Sequence, residues 1–300
     1  MNDAPVGTAA TLRGLGAAGL AAVLFAVIFY LSGTLDASAE VVFGARILLT
    51  LACYALALAN PGARRLLRAY WTQLTRSPRT LMLLPVLCAL VGVQLWLFSW
   101  APLRGHAMDA SLGFLLLPLA IVLGSRLLLR VEVTPMQWVA VCIALLAVTI
   151  KFALTPQFSW VTAVVCLGYP VYFIARRRFG LDNPMAFGVE IAVIAPVAFL
   201  LAWQGGPLPQ EAAVQLALVV VGLAGAAAMA AFLAASQLLS LPLFGLLGYL
   251  EPVLLVVVAL MLGERLHGAD LAVYGLLGVA LTALAVEGFR RPSRAAEREP

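Results

Sequence analysis

The stretch Gly245 to Leu266 reads GLLGYLEPVLLVVVALMLGERL, an apolar run long enough to span a bilayer by the roughly 20-residue rule. A carboxylate and a proline stand side by side in its middle. Pro252 removes a backbone donor and crowds the carbonyl one turn earlier, so a kink is expected there. An ionisable group at that depth costs roughly 2.5–3.5 kcal/mol on insertion scales, which predicts that Glu251 faces the protein interior or a wet cavity. Its alternative role is a structural carboxylate tied to a neighbouring helix.

A similar run, Leu112 to Leu128, carries Pro118, 134 positions before Pro252. Phe43-Gly44-Ala45-Arg46-Ile47 is echoed 144 positions later by Phe187-Gly188-Val189-Glu190-Ile191. A long basic loop at residues 61 to 79, against a shorter connection around 204 to 212, accounts for the ten-residue difference. Weak internal symmetry of this kind suits a transporter built from repeats. The expected halves are residues 1–154 and 155–300.

With 63% hydrophobic and 11% charged residues, the chain lies far from the composition of a soluble domain. About ten spans are read, an all-α integral membrane protein of two inverted five-helix repeats. A positively charged start followed by Leu15 to Ser32 and Ala37-Ser38-Ala39 imitates a signal peptide, but the run exceeds the usual h-region and is read as the first helix. The net charge of +5 does not point to nucleic acid, because the arginines fall in short blocks between spans. Arg13, the five arginines of 61–79, Arg126 and Arg130, Arg176 to Arg178 and the C-terminal four all fall on one side when the N-terminus is placed inside. Arg104, Lys151 and Arg265 fall outside and Arg46 within a span, so both termini are expected in the cytoplasm. The Arg176 to Arg178 triplet reads as a stop signal rather than a ligand site.

Few polar groups remain within the spans. Arg46 either pairs with Glu251 or snorkels to the outer headgroups. Glu190 lies about two turns from its helix end. Asp109 is either a favourable charge at a helix start or an outer gate with Arg104 or Lys151. Gln94, Trp96, Tyr30, Tyr169 and Tyr249 are candidates to line a central cavity, with packing as the alternative for each. Gly263-Glu264-Arg265-Leu266 reads as an outer turn whose charges pair locally. Cys53, Cys88, Cys142 and Cys166 sit in apolar runs without metal-type spacing.

Gln94-Leu95-Trp96-Leu97-Phe98-Ser99-Trp100-Ala101-Pro102, Asp109-Ala110-Ser111-Leu112-Gly113-Phe114 leading to Pro118-Leu119, Gly168-Tyr169-Pro170-Val171-Tyr172-Phe173 and the segment from Glu251-Pro252 to Leu266 resemble the RarD group. These chloramphenicol-sensitive proteins lie in the EamA family of the drug/metabolite transporter superfamily. The resemblance implies a ten-helix inverted-repeat transporter of the bacterial inner membrane that exports small metabolites.

The sequence-level reading is a secondary transporter of small polar or amphipathic solutes working by alternating access. No nucleotide-binding motif is present, so a gradient supplies the energy, with Glu251 or Glu190 as the group that would carry a coupled proton. The expected partners are a small-molecule substrate and the lipid bilayer; no cofactor or metal is expected, and a monomer and a homodimer both fit. The competing class is an intramembrane lipid-modifying enzyme, which lacks a visible cluster of acid, base or metal-binding groups.

Overall fold

The computed structural model describes residues 8–129, 135–154, 159–181, 185–238, 248, 250–265, 268, 271–280 and 282. The described residues are all-helical: α1 Thr8–Thr34, α2 Ala39–Ala57, α3 Pro61–Thr75, α4 Pro78–Leu103, α5 Ala107–Leu129, α6 Pro135–Leu154, α7 Trp160–Arg178, α8 Ala186–Gln204, α9 Ala212–Leu238 and α10 Leu250–Met261. A further apolar helix spans Leu271–Ala280. Among these, α1, α2, α4, α8 and α9 contain stretches long and apolar enough to cross a membrane, and α5 makes a sixth if its two bent parts form one span. The segments in α6, α7, α10 and 271–280 are shorter apolar helices.

Residues 61–79 are not the loop that their arginines suggested. Asn60 accepts from the Gly62 amide at 2.7 Å, Pro61 occupies the first turn where its missing N–H is harmless, and α3 follows. Its Tyr70 and Leu74, one turn apart, are buried in the core while the arginines face out. α5 bends by 43° between Ala107–Leu117 and Leu119–Leu128, at the position of Pro118. Pro252 stands in the first turn of α10 rather than in mid-helix, and residues 241–247 and 249 before it lie outside the described set.

Helix α2 lies against α8 and α9, α1 against α9, and α7 against α4 and α5. Small residues permit these approaches: a Cβ on Gly44 would stand 2.5 Å from the Ala202 Cβ of α8, and one on Gly113 would stand 2.7 Å from the Val165 Cβ of α7. The largest core cluster draws Phe29, Val42, Phe98, Phe114, Val165, Val221 and Leu255 from seven helices. A second, around Ile47, Leu87, Tyr172 and Ile191, joins α2, α4, α7 and α8 and receives α3. A third packs α5 and α6 on the 271–280 helix. Outward faces carry Leu20, Val86, Leu145, Val197 and Leu216, an apolar surface suited to lipid.

Candidate functional site

Arg46 shares one face of α2 with Val42 and Thr50, four residues to either side, and all three are buried. It does not snorkel: it is 5% exposed, with its guanidinium carbon 5.0 Å from the centroid of the Phe98 ring on α4. Gly225 of α9 leaves room for it, since a Cβ there would stand 3.3 Å from Arg46 Nε. The half-buried Glu251 and the Tyr169 hydroxyl lie within electrostatic reach of the same guanidinium. Among the described residues no ion pair within 4.0 Å joins Arg46 to Glu251, so the expected pair is a facing of charges rather than a contact. Arg46 Nη1 is buried with no hydrogen-bond partner. A buried cation with an unmet donor is costly unless an opposite charge or a ligand compensates it, and Glu251 supplies the first.

Glu190, fully buried in α8, belongs to a different cluster. Tyr172 donates to its Oε2 at 2.6 Å, Arg176 Nη1 donates to the Tyr172 hydroxyl at 2.5 Å, and Arg176 Nη1 lies 3.9 Å from Glu190 Oε2. Arg176 Nη2 also donates to the Leu181 carbonyl at 3.4 Å, at the end of α7. The first arginine of the triplet thus turns inward, contrary to its reading as a stop signal. Its spacing from Tyr172 by one helical turn was the available signal. Arg46 and Glu190 stand in separate networks.

At the opposite end of the bundle, Asp109 accepts from His106 Nδ1 at 2.8 Å. It makes no ion pair with Arg104 among the described residues, and the Lys151 side chain lies outside them. His106 stacks on Trp100, which stacks on Trp96, with Trp160 completing the group. Glu264 takes the Ala107 and Met108 amides at 2.7 Å each, capping α5 with both oxygens instead of pairing with Arg265. The turn before α5 relies on Gly105 at φ +70°, a conformation that side-chain-bearing residues avoid.

Gln94 is buried, its Nε2 donating to the Val164 carbonyl at 2.7 Å across the space left by Gly168, while its Oε1 has no partner. Trp96, Tyr30 and Tyr169 are partly buried against the largest cluster, and Tyr169 stacks with Phe173. Tyr249 lies outside the described residues. Among the described residues no group of three or more His, Cys, Asp or Glu side chains is placed to hold a metal.

No family model matches the chain. It is 41% identical over 220 residues to the chloramphenicol-sensitive protein RarD of Pseudomonas aeruginosa, covering 72% of this chain and 74% of that protein. It is 31% identical over 278 residues to an uncharacterized transporter of Pasteurella multocida, covering 91% and 96%. A solved crystal structure superposes with a TM-score of 0.60 at 20% identity, covering 94% of this chain and 98% of the other, and so shares its fold.

Proposed function

Because this chain belongs to the RarD group of the drug/metabolite transporter family, we propose that it is a secondary transporter exporting small polar or amphipathic metabolites by alternating access. The reading places ten spans in the bacterial inner membrane as two inverted repeats, residues 1–154 and 155–300, with both termini in the cytoplasm. Helix packing supports the repeat. Exchanging α1 with α7, α2 with α8, α4 with α9 and α5 with α10 converts the α1–α9 contact into α4–α7, and α2–α9 into α4–α8. The same exchange converts α5–α7 into α1–α10 and leaves the α2–α8 and α5–α10 contacts in place.

The observation that carries the proposal is the buried, unsatisfied guanidinium of Arg46 facing Glu251 across helices from both halves. Such a pair holds a polar solute group more strongly than water-exposed charges would, because little solvent screens it. Glu190 is already engaged by Tyr172 and Arg176, which leaves Glu251 as the better proton carrier. The test compares metabolites retained by cells with and without the protein, then measures transport of the retained compounds in proteoliposomes. Wild type is expected to respond to an imposed pH gradient and Glu251→Gln to lose that response; indifference to both changes removes the coupling.

A further inference from the structure

We propose that the groove between α2, α3 and α8 is a binding site for an anionic phospholipid, with its acyl chain on the apolar walls and its phosphate on Arg68. This site is separate from the Arg46–Glu251 region and does not depend on the transport reading. The groove has a volume of about 780 Å³, within the range of sites that enclose small organic ligands. Leu51 and Leu58 of α2, Leu67 of α3 and Val193 of α8 form its walls, and Arg68 and Trp71 stand at its edge.

The groove has a fixed wall. α3 is held by the buried Tyr70 and Leu74 and by Gln73, whose Nε2 donates to the Gly180 carbonyl at 2.5 Å. Leu67 and Trp71, one turn apart, are therefore presented on the neighbouring face, toward the groove. Arg68 is exposed and makes no ion pair among the described residues.

Charge identifies the occupant. Residues 61–79 contain five arginines and no acidic residue, so this face attracts an anionic lipid surface. Trp71, 53% exposed and one turn from Arg68, is the amphipathic ring expected at headgroup depth. A free anion would satisfy Arg68 but leave the apolar walls uncovered. A zwitterionic phospholipid also offers a phosphate, but its cationic headgroup is repelled by the arginines of 61–79. A lipid of net negative charge therefore fits both walls and charge best. It would rest on the seam where α2 and α8 meet, the helices that carry Arg46 and Glu190.

Native mass spectrometry of the purified full-length protein, delipidated and supplied with phosphatidylglycerol or phosphatidylcholine of matched chains, tests this. Wild type is expected to retain one phosphatidylglycerol in preference to phosphatidylcholine. Arg68→Gln should weaken that preference about tenfold. Arg65→Gln, exposed and outside the groove, should keep it. Ala192→Trp, an exposed position on the groove wall, should block retention of both lipids. Equal retention of the two lipids by wild type, an unchanged preference in Arg68→Gln, or displacement of phosphatidylglycerol by inorganic phosphate would each overturn the assignment.

Discussion

Removing Glu190 should destabilise the protein severely, and removing Arg176 with it should restore much of the loss. At the observed 3.9 Å, two unit charges attract by about 4 kcal/mol at an effective dielectric constant of 20. The Tyr172 hydroxyl, accepting from Arg176 and donating to Glu190, adds a hydrogen bond to a charged group worth about 1.5–3 kcal/mol. Desolvation offsets part of this, so the intact network contributes little net stability; truncating one side leaves a buried charge without compensation. Glu190→Leu alone is therefore expected to cost about 3–5 kcal/mol, and Arg176→Met in the same background to recover most of it. Unfolding titrations of the purified protein in mixed detergent, run as a double-mutant cycle, measure both terms. A loss under about 1 kcal/mol for Glu190→Leu, or simple additivity in the double variant, would refute the reasoning.

Three further outcomes follow from packing and capping. Glu264→Ala frees two amides at the start of α5 and should cost about 1–2 kcal/mol in the same titration. Gly44→Val drives side-chain atoms into Ala202 at the α2–α8 contact and should cost about 1–3 kcal/mol by overpacking, whereas Gly19→Ala, with open space around it, should be close to neutral. Burial in α3 pushes the Tyr70 phenol up to about 12, so the folded protein resists ionising it. The stability this group confers is complete below pH 10, where the unfolded phenol is still protonated, and is lost as pH rises toward 12. In an alkaline absorbance titration, Tyr70→Phe should delete a phenolate that otherwise appears only near pH 12.

The sequence marked the central charges as unusual because burial in hydrocarbon is so costly, but left Arg46 either pairing with Glu251 or snorkelling. The structure buries Arg46 and leaves Glu251 half-buried within its electrostatic reach. The sequence was less informative where the chain meets the membrane surface. The arginines of 61–79 masked α3, although Asn60-Pro61 is a helix start and Tyr70 and Leu74 lie one turn apart. Arg176 was hidden in the same way, since a run of three arginines reads as topology even when the first lies on the helix face that meets Glu190. Asp109 found His106, three residues away, before any distant arginine, and Glu264 found a helix N-terminus more than 150 residues earlier. These partners depend on which helix ends the bundle brings together, and no local pattern specifies that.

Cysteine accessibility at position 251 tests the central claim most directly. In a cysteine-free background, Glu251→Cys should react with a water-soluble maleimide applied from one side of the membrane, and the transported solute should slow that labelling. A residue that stays unreactive from both sides, or reacts only with lipid-soluble reagents, would contradict a polar path beside Arg46.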